Sequence, residues 1–273
     1  MYEDFSVLLS VYNNENFLFL EEAVNSIYFI QTVRPSEIIL VKDGPLDKNL
    51  NNVIKKLKKD IPILKVIGYS KNRGLGYALN YGLKHCCNEL VFRMDTDDIA
   101  GKYRFEKQLD LFKSNKEISI IGSSIQEFRL IPGDLNQKRN VPISSNNINK
   151  FKFFRNPFNH MTVGFKKSIV MDVGGYLEMP YYEDYYLWMR MLKYHKGMNI
   201  SDSLVYARIG NDMIGRRQGL LMFKNELAFQ KKLIDSDLIT LTTFLRNILI
   251  RAVPRLLNKR ILDFFYKKTL RKQ

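Results

Sequence analysis

The stretch Leu90-Val91-Phe92-Arg93-Met94-Asp95-Thr96-Asp97-Asp98-Ile99 decides how the chain is read. An apolar run breaks off at Met94 into three carboxylates within four residues, Asp95, Asp97 and Asp98. A buried strand that ends in acids delivers negative charge to a sheet edge, which is where open α/β sheets place their ligands. Carboxylates this close repel one another and call for a compensating cation, most simply a hard divalent ion carrying a phosphate ligand. The alternative is an exposed turn that caps a helix starting near Lys102, and the stretch alone does not separate the two.

Upstream, residues 5–11, 37–41 and 63–67 read as short buried strands. Between them, residues 17–29 carry Leu20, Ala23, Val24, Ile27 and Tyr28 at helical spacing, and a basic helix carries Leu50, Val53, Ile54 and Leu57. Residues 77–86 form a further helix, leading into a strand at 89–93. Strands alternating with helices, with polar residues after each strand, predict an α/β fold: a Rossmann-like, mostly parallel sheet flanked by helices. Right-handed crossovers put the exit loops at one sheet edge, so Tyr12, Asp43, Arg73 and Asp95 are expected to converge. The loop Ser70-Lys71-Asn72-Arg73-Gly74-Leu75-Gly76 opens a helix and can cradle an anion there. Its spacing is neither a P-loop nor a full G-x-G-x-x-G, so the motif is weak by itself, although Lys71 and Arg73 strengthen it.

A chain of 273 residues suits one large domain or a domain with an appendage. Its two cysteines, Cys86 and Cys87, are adjacent and cannot staple the fold, which points to a reducing compartment. The N-terminal apolar run is short, interrupted and preceded by acids, unlike a signal peptide. No run approaches the roughly eighteen apolar residues of a membrane-spanning helix. His85, His160 and His195 are too dispersed for a zinc-type cluster.

The net charge of +15 calls for a polyanionic partner. From Phe244 onward, Arg246, Arg251, Arg255, Lys259, Arg260, Lys267, Lys268, Arg271 and Lys272 face a single acid, Asp263, and alternate with apolar residues at helical spacing, interrupted by Pro254. That is the pattern of an in-plane helix on anionic lipid; the alternative is an amphipathic helix packed on the rest of the protein. Nucleic acid is disfavoured, because no helix-turn-helix, RRM or zinc-finger pattern is present and an acidic cluster does not suit a phosphate groove.

Six short motifs in one order then define a family resemblance. They are Ser10-Val11-Tyr12-Asn13-Asn14-Glu15, Lys42-Asp43-Gly44-Pro45, Asn72-Arg73-Gly74, Asp95-Thr96-Asp97-Asp98, Gly174-Gly175-Tyr176, and Glu183-Asp184 followed by Leu187-Trp188-Met189-Arg190. In these the chain resembles the family 2 glycosyltransferases, inverting enzymes with the GT-A fold, over residues 5 to 210. Lys42 and Pro45 depart from the family's Asp-Asp-Gly-Ser pattern, while Asp43, the acid that meets the nucleotide base, is kept.

The resemblance implies a nucleotide-diphosphate sugar donor, a UDP-sugar first among them, with Mg²⁺ or Mn²⁺ as cofactor. It implies metal ligation by Asp97 and Asp98 and donor binding by Ser10, Tyr12, Glu15, Asp43, Lys71, Arg73, Gly74 and Asp95. Asp184 becomes the general base, with Glu183 as the second candidate; the alternative is that the two only cap a helix over residues 185–193. His160, Tyr182 and Trp188 become acceptor-side residues, although His160 and Trp188 read equally as core. The expected organisation is a catalytic domain over 1–215 and a helical extension over 216–273 that attaches to the membrane surface. The expected function is sugar transfer to a lipid-linked glycan in cell-surface polysaccharide synthesis, on the cytoplasmic face of the cell membrane. The competing readings are a non-catalytic nucleotide-sugar or lipid-surface binding protein that retains the fold, and a nucleotidyltransferase, whose basic Gly-rich signature loop is missing.

Overall fold

The computed structural model describes residues 2–210 and 219–256. The first half alternates as its apolar periodicity dictates: β1 (Phe5–Val11), α1 (Phe17–Ser26), β2 (Glu37–Asp43), α2 (Lys48–Asp60), β3 (Leu64–Tyr69), α3 (Leu75–His85) and β4 (Leu90–Arg93). These four strands are parallel, in the order β3-β2-β1-β4. The second half supplies β5 (Ile99–Ala100), α4 (Arg104–Ser114), β6 (Ile118–Phe128), β7 (Gln137–Arg139), α5 (Ser145–Phe151), β8 (Gly164–Lys166), α6 (Lys167–Asp172), α7 (Glu183–Met191) and β9 (Lys196–Arg208). It extends the sheet through antiparallel β8 to β6, β9 and β5.

Because side chains alternate along a strand, each sheet face builds its own core. Val7, Leu9 and Val11 pack with α1, α2 and α4 through Leu20, Leu50 and Phe105. Leu8, Ile39 and Val91 pack on the opposite face with α3 and α7 through Leu79, Leu187 and Trp188. Boundaries shift where local chemistry decides them. α1 stops at Ser26, whose hydroxyl donates to Ala23 O at 2.7 Å and accepts from Ala100 N at 2.9 Å, tying the helix end to β5. α3 begins at Leu75, directly after Gly74 turns the chain at φ +86°. The aspartates of residues 95–98 run into β5, not into a helix, and α4 starts after Tyr103 with no side-chain cap, which removes the capping alternative.

Beyond β9, α8 (Leu220–Asp235) and α9 (Leu241–Asn247), continued by a π turn at Ile248–Ala252 and a 3₁₀ turn at Val253–Leu256, fold back on α7. Phe229 and Leu233 join Tyr182, Tyr185, Tyr186 and Met189 in a third apolar cluster. At its centre lies Glu226, fully buried. It receives Tyr182 Oη at 2.7 Å, Gln230 Nε2 at 2.9 Å, Arg251 Nε at 2.9 Å and Arg255 Nη2 at 2.8 Å. Burial alone would lift this carboxyl, but Arg251 and Arg255 together hold it below its ordinary range.

This corrects the expected layout of the basic tail. Arg246, Arg251 and Arg255 do not form an outward polar face; they donate into the protein, to Phe153 O, Phe154 O and Glu226. Lys259, Arg260, Lys267, Lys268, Arg271 and Lys272 lie outside the described residues, as does the expected boundary between 215 and 216. Among the described residues no helix is long and apolar enough to cross a membrane. Glu226→Ala would leave two nearly buried guanidinium groups without their carboxylate, so urea unfolding should show a loss of about 3–5 kcal/mol. Gln, which keeps two hydrogen bonds, should lose less.

Candidate active site

One carboxylate oxygen from each of Asp95, Asp97 and Asp98 lies within 4.8 Å of the others. Asp98 is buried; its Oδ1 accepts Arg208 N at 2.8 Å, while its Oδ2 has no partner among the described residues. Burial first, and then Asp95, lifts the Asp97 carboxyl to about 6, and the same causes together with Asp97 drive Asp98 well above its usual range. Glu15 faces the same cluster, and burial followed by Asp97 and Asp95 raises it to about 7.

The group that holds these acids together is Arg93, the last residue of β4. Its side chain is buried and ion-paired with Asp95, and its Nε and Nη1 have no partner among the described residues. Its charge also reaches Glu15, His160, Tyr176 and Asp184. Sequence reasoning passed over it, although an arginine inside an otherwise apolar strand was the available signal. Beneath it, Arg104 Nη2 donates to Arg93 O at 2.5 Å, from a fully buried side chain that burial lowers to about 9.

The exit loops of β2 and β3 meet as expected. Asp43 Oδ1 accepts Arg73 N at 2.7 Å and Tyr69 Oη at 2.9 Å, and Oδ2 accepts Gly74 N at 3.0 Å. The carboxylate thus shapes the 72–74 loop from beneath and keeps one lone pair of Oδ2 for a ligand. Lys42 turns away to Asn51 Oδ1 at 2.9 Å, which explains how a cation is tolerated beside Asp43. Lys71 and Arg73 are exposed at the rim, with the Arg73 guanidinium 3.5 Å from the Tyr77 ring centroid. Tyr12 is exposed just past the end of β1, and Ser10, two residues earlier in the strand, is half-buried.

On the other side, Leu75, His160, Pro180, Tyr181, Glu183 and Asp184 line a cavity of about 510 Å³. Asp184 Oδ2 accepts Asn156 Nδ2 at 2.7 Å and Oδ1 accepts Tyr185 N at 2.7 Å. Burial raises the Asp184 carboxyl, against the hydrogen bonds from Tyr185 and Asn156 and the Arg93 charge; burial likewise raises Glu183. α7 starts after Tyr182 without a side-chain cap, so neither acid is occupied as its N-cap. His160 Nε2 lies 3.0 Å from Tyr176 Oη, and burial followed by the Arg93 charge pushes its pKa well below the usual value, so the ring is neutral.

The donor and acceptor sides touch directly: a Cβ added at Gly76 would sit 3.3 Å from Glu183 Cγ. Asn80 of α3 holds both Tyr176 N and Tyr176 O, at 2.8 and 2.5 Å, and Arg190 of α7 donates to Val173 O and to Gly175 O. Two expected acceptor residues are placed elsewhere. Trp188 is fully buried among Phe158, His160, Phe165 and Tyr176 and offers no face to a ligand. Tyr182 commits its hydroxyl to Glu226 and stacks on Phe229 at 4.5 Å. Asn156, which orients Asp184, carried no signal in the sequence.

The acidic cluster suits a divalent cation. Its oxygens are hard donors at the right spread, and the buried, unpartnered Asp98 Oδ2 is the kind of atom a cation satisfies.

The family model for glycosyl transferase family 2 matches residues 6–174. A UDP-Gal:alpha-D-GlcNAc-diphosphoundecaprenol beta-1,3-galactosyltransferase of Escherichia coli is 40% identical, covering 98% of this chain and 97% of its own. S. aureus TarS 1–349, solved in complex with UDP-GlcNAc, shares the fold with a TM-score of 0.67 at 20% identity, over 98% of this chain and 77% of that one. A mannosyltransferase from Pyrobaculum calidifontis, solved with GDP-Man and Mn2+, gives 0.67 at 12% identity, over 97% of this chain and 75% of that one. The chain belongs to glycosyltransferase family 2 and is a glycosyltransferase with the GT-A fold.

The raised carboxyls give a pH-dependent cation response. Asp97 binds its proton more tightly folded, at about 6, than unfolded, near 3.9, so its contribution to stability is lost as pH rises through that window. A cation that needs the carboxylates ionised should restore it. Thermal melts should therefore show a Mn²⁺-induced rise of about 3–6 °C near pH 7 and a much smaller one near pH 5, with most of the rise lost in Asp98→Asn.

Proposed function

We propose that this family 2 glycosyltransferase moves one sugar, with inversion, from a nucleotide-diphosphate sugar to a hydroxyl of a lipid-linked glycan. A UDP-sugar is the favoured donor, in keeping with the galactosyltransferase it resembles and with the UDP-GlcNAc complex of TarS. The reaction would take place at the cytoplasmic face of a membrane, in cell-surface polysaccharide synthesis. The observation that carries this reading is one cavity shared by Glu183, Asp184 and His160 with Leu75, the residue after donor-loop Gly74, so that a base and the donor loop border the same space.

Asp95, Asp97 and Asp98 would hold Mg²⁺ or Mn²⁺, which when bound offsets the charge of the diphosphate. Asp43, Tyr12 and Ser10 line the place for the nucleoside, Glu15 borders the acidic cluster, and the rim cations Lys71 and Arg73 reach toward phosphate. Asp184 then takes the proton of the acceptor hydroxyl as that oxygen bonds to the anomeric carbon and the bond to the diphosphate oxygen breaks. Asn156 and the Tyr185 N–H fix the carboxylate's orientation, and each of its oxygens keeps a lone pair for the proton. Neutral His160 can accept from or donate to the acceptor, while Tyr176 holds its ring.

Transfer from radiolabelled UDP-sugars to an undecaprenyl-diphosphate GlcNAc acceptor tests the reading. Asp184→Asn should lower kcat by about 10²–10⁴ with UDP binding retained, and Asp97→Ala should lower both turnover and Mn²⁺ dependence. Turnover close to wild type in Asp184→Asn would remove Asp184 as the base.

A further inference from the structure

The α9 helix and the turns that continue it expose an apolar row and turn arginines inward. Along α9 and the two turns that continue it, Phe244, Asn247, Arg251, Ala252 and Arg255 face the protein, where the arginines meet Glu226 and Asn247 Nδ2 donates to Phe153 O at 3.0 Å. Leu241, Leu245, Leu249, Ile250, Val253 and Leu256 face outward, with Leu249 at 68% exposure and Leu241 at 60%. The spacing 241, 245, 249, 253 keeps these residues on one side of the helical run. Gly219 N donates to Arg255 O at 3.0 Å, so α8 begins beside the end of that run and brings exposed Leu220 and Leu221 to the same edge. A soluble monomer rarely leaves so long an apolar ridge uncovered.

We infer that this ridge, from Leu241 through Leu256 with Leu220 and Leu221, seats the protein on an anionic lipid surface. Charge identifies the occupant. Lys224, Lys231 and Lys232 are exposed on α8, and the sequence after Leu256 carries six basic residues against Asp263 alone. The exposed acids of the hairpin, Asp235 and Asp237, sit in the α8–α9 turn near Lys231, Lys232 and the Leu241 end of the ridge, with Lys224 farther along α8. An apolar ridge on a hairpin with exposed lysines, in a chain whose sequence after Leu256 is strongly basic, matches acyl chains beneath acidic headgroups, whereas a second copy would bring the same positive charge against itself. Arginines tied to Glu226 serve here as internal anchors of the helices, and the leucines supply the lipid contact. One packing layer separates the ridge from α7, through the stacked Tyr182 and Phe229, so the seat and the base-bearing helix belong to one body. The purpose of such a seat rests on the proposed lipid-linked acceptor; the binding itself does not.

The test is flotation of the full chain with vesicles of phosphatidylglycerol and phosphatidylethanolamine, against phosphatidylcholine alone. Wild type should float with the anionic vesicles. Leu245→Glu/Leu249→Glu, two exposed positions, should partition about tenfold or more weaker while keeping its melting temperature and its UDP binding. As a second reporter, Leu249→Trp should blue-shift on vesicles and be quenched by brominated acyl chains; the native Trp188 is buried and gives a constant background. Absence of wild-type flotation, or equal flotation of the double variant, would overturn the inference. So would a dimer that the double variant dissociates without any vesicle binding. Retained UDP binding separates these outcomes from failure of the catalytic reading, which the transfer assay decides.

Discussion

Arg93 carries a full positive charge at the end of a strand where the residue is only 2% exposed. A guanidinium taken out of water costs several kcal/mol unless it is paired, and Asp95 closes that pair. The dependence runs the other way too. Asp97 and Asp98 crowd within 4.8 Å of each other and of Asp95, Glu15 feels their charge, and the Arg93 charge lowers Asp97, Asp98 and Glu15 alike. Arg104, donating to the carbonyl of Arg93, fixes the strand end from which both the arginine and the acids project. Asp184 and His160, across the cavity, feel the same charge, which lowers the pKa of both. The acids and the arginine are thus conditions for each other, and the two sides of the site are arranged around one buried ion.

The parallel half of the sheet was legible because continuous apolar strands and amphipathic helices state their faces directly, and topology alone then brought Asp43 and Arg73 into contact. The second half of the sheet, where parallel and antiparallel pairings mix, was not. β6 and β9 carry Ser123, Ser124, Asn199 and Ser203 among their apolar residues, which blurs the alternation, and their pairing joins residues far apart in the chain. An aromatic in a motif declares size, not direction, so nothing in the sequence told that Trp188 closes a core or that Tyr182 faces α8. The basic tail failed for a related reason. Amphipathic spacing reveals that a helix has two faces without saying which is inside, and a single buried carboxylate, Glu226, reversed the usual answer.

Asn80 and Arg190 show how the acceptor-side motif works mechanically. The Gly174-Gly175 turn holds φ values of +88° and +65°, a conformation other residues adopt only at a cost. Asn80 reaches it from α3, which begins at the donor loop, and Arg190 from α7, which begins at the base. A displacement at either helix is therefore felt by the same turn, and with it by Tyr176 and His160.

Asp43 holds the donor loop through the N–H groups of Arg73 and Gly74, while the Asn72 side-chain amide donates to the Asp43 carbonyl at 3.2 Å and Tyr69 steadies the carboxylate from β3. The loop's path is thus set by its main chain and by Asn72, and the rim side chains of Lys71 and Arg73 take no part in that hold on Asp43. Substitutions at Lys71 and Arg73 can accumulate without unmaking the loop. A lineage built on this scaffold is free to drift toward new donors there while the frame beneath is inherited unchanged.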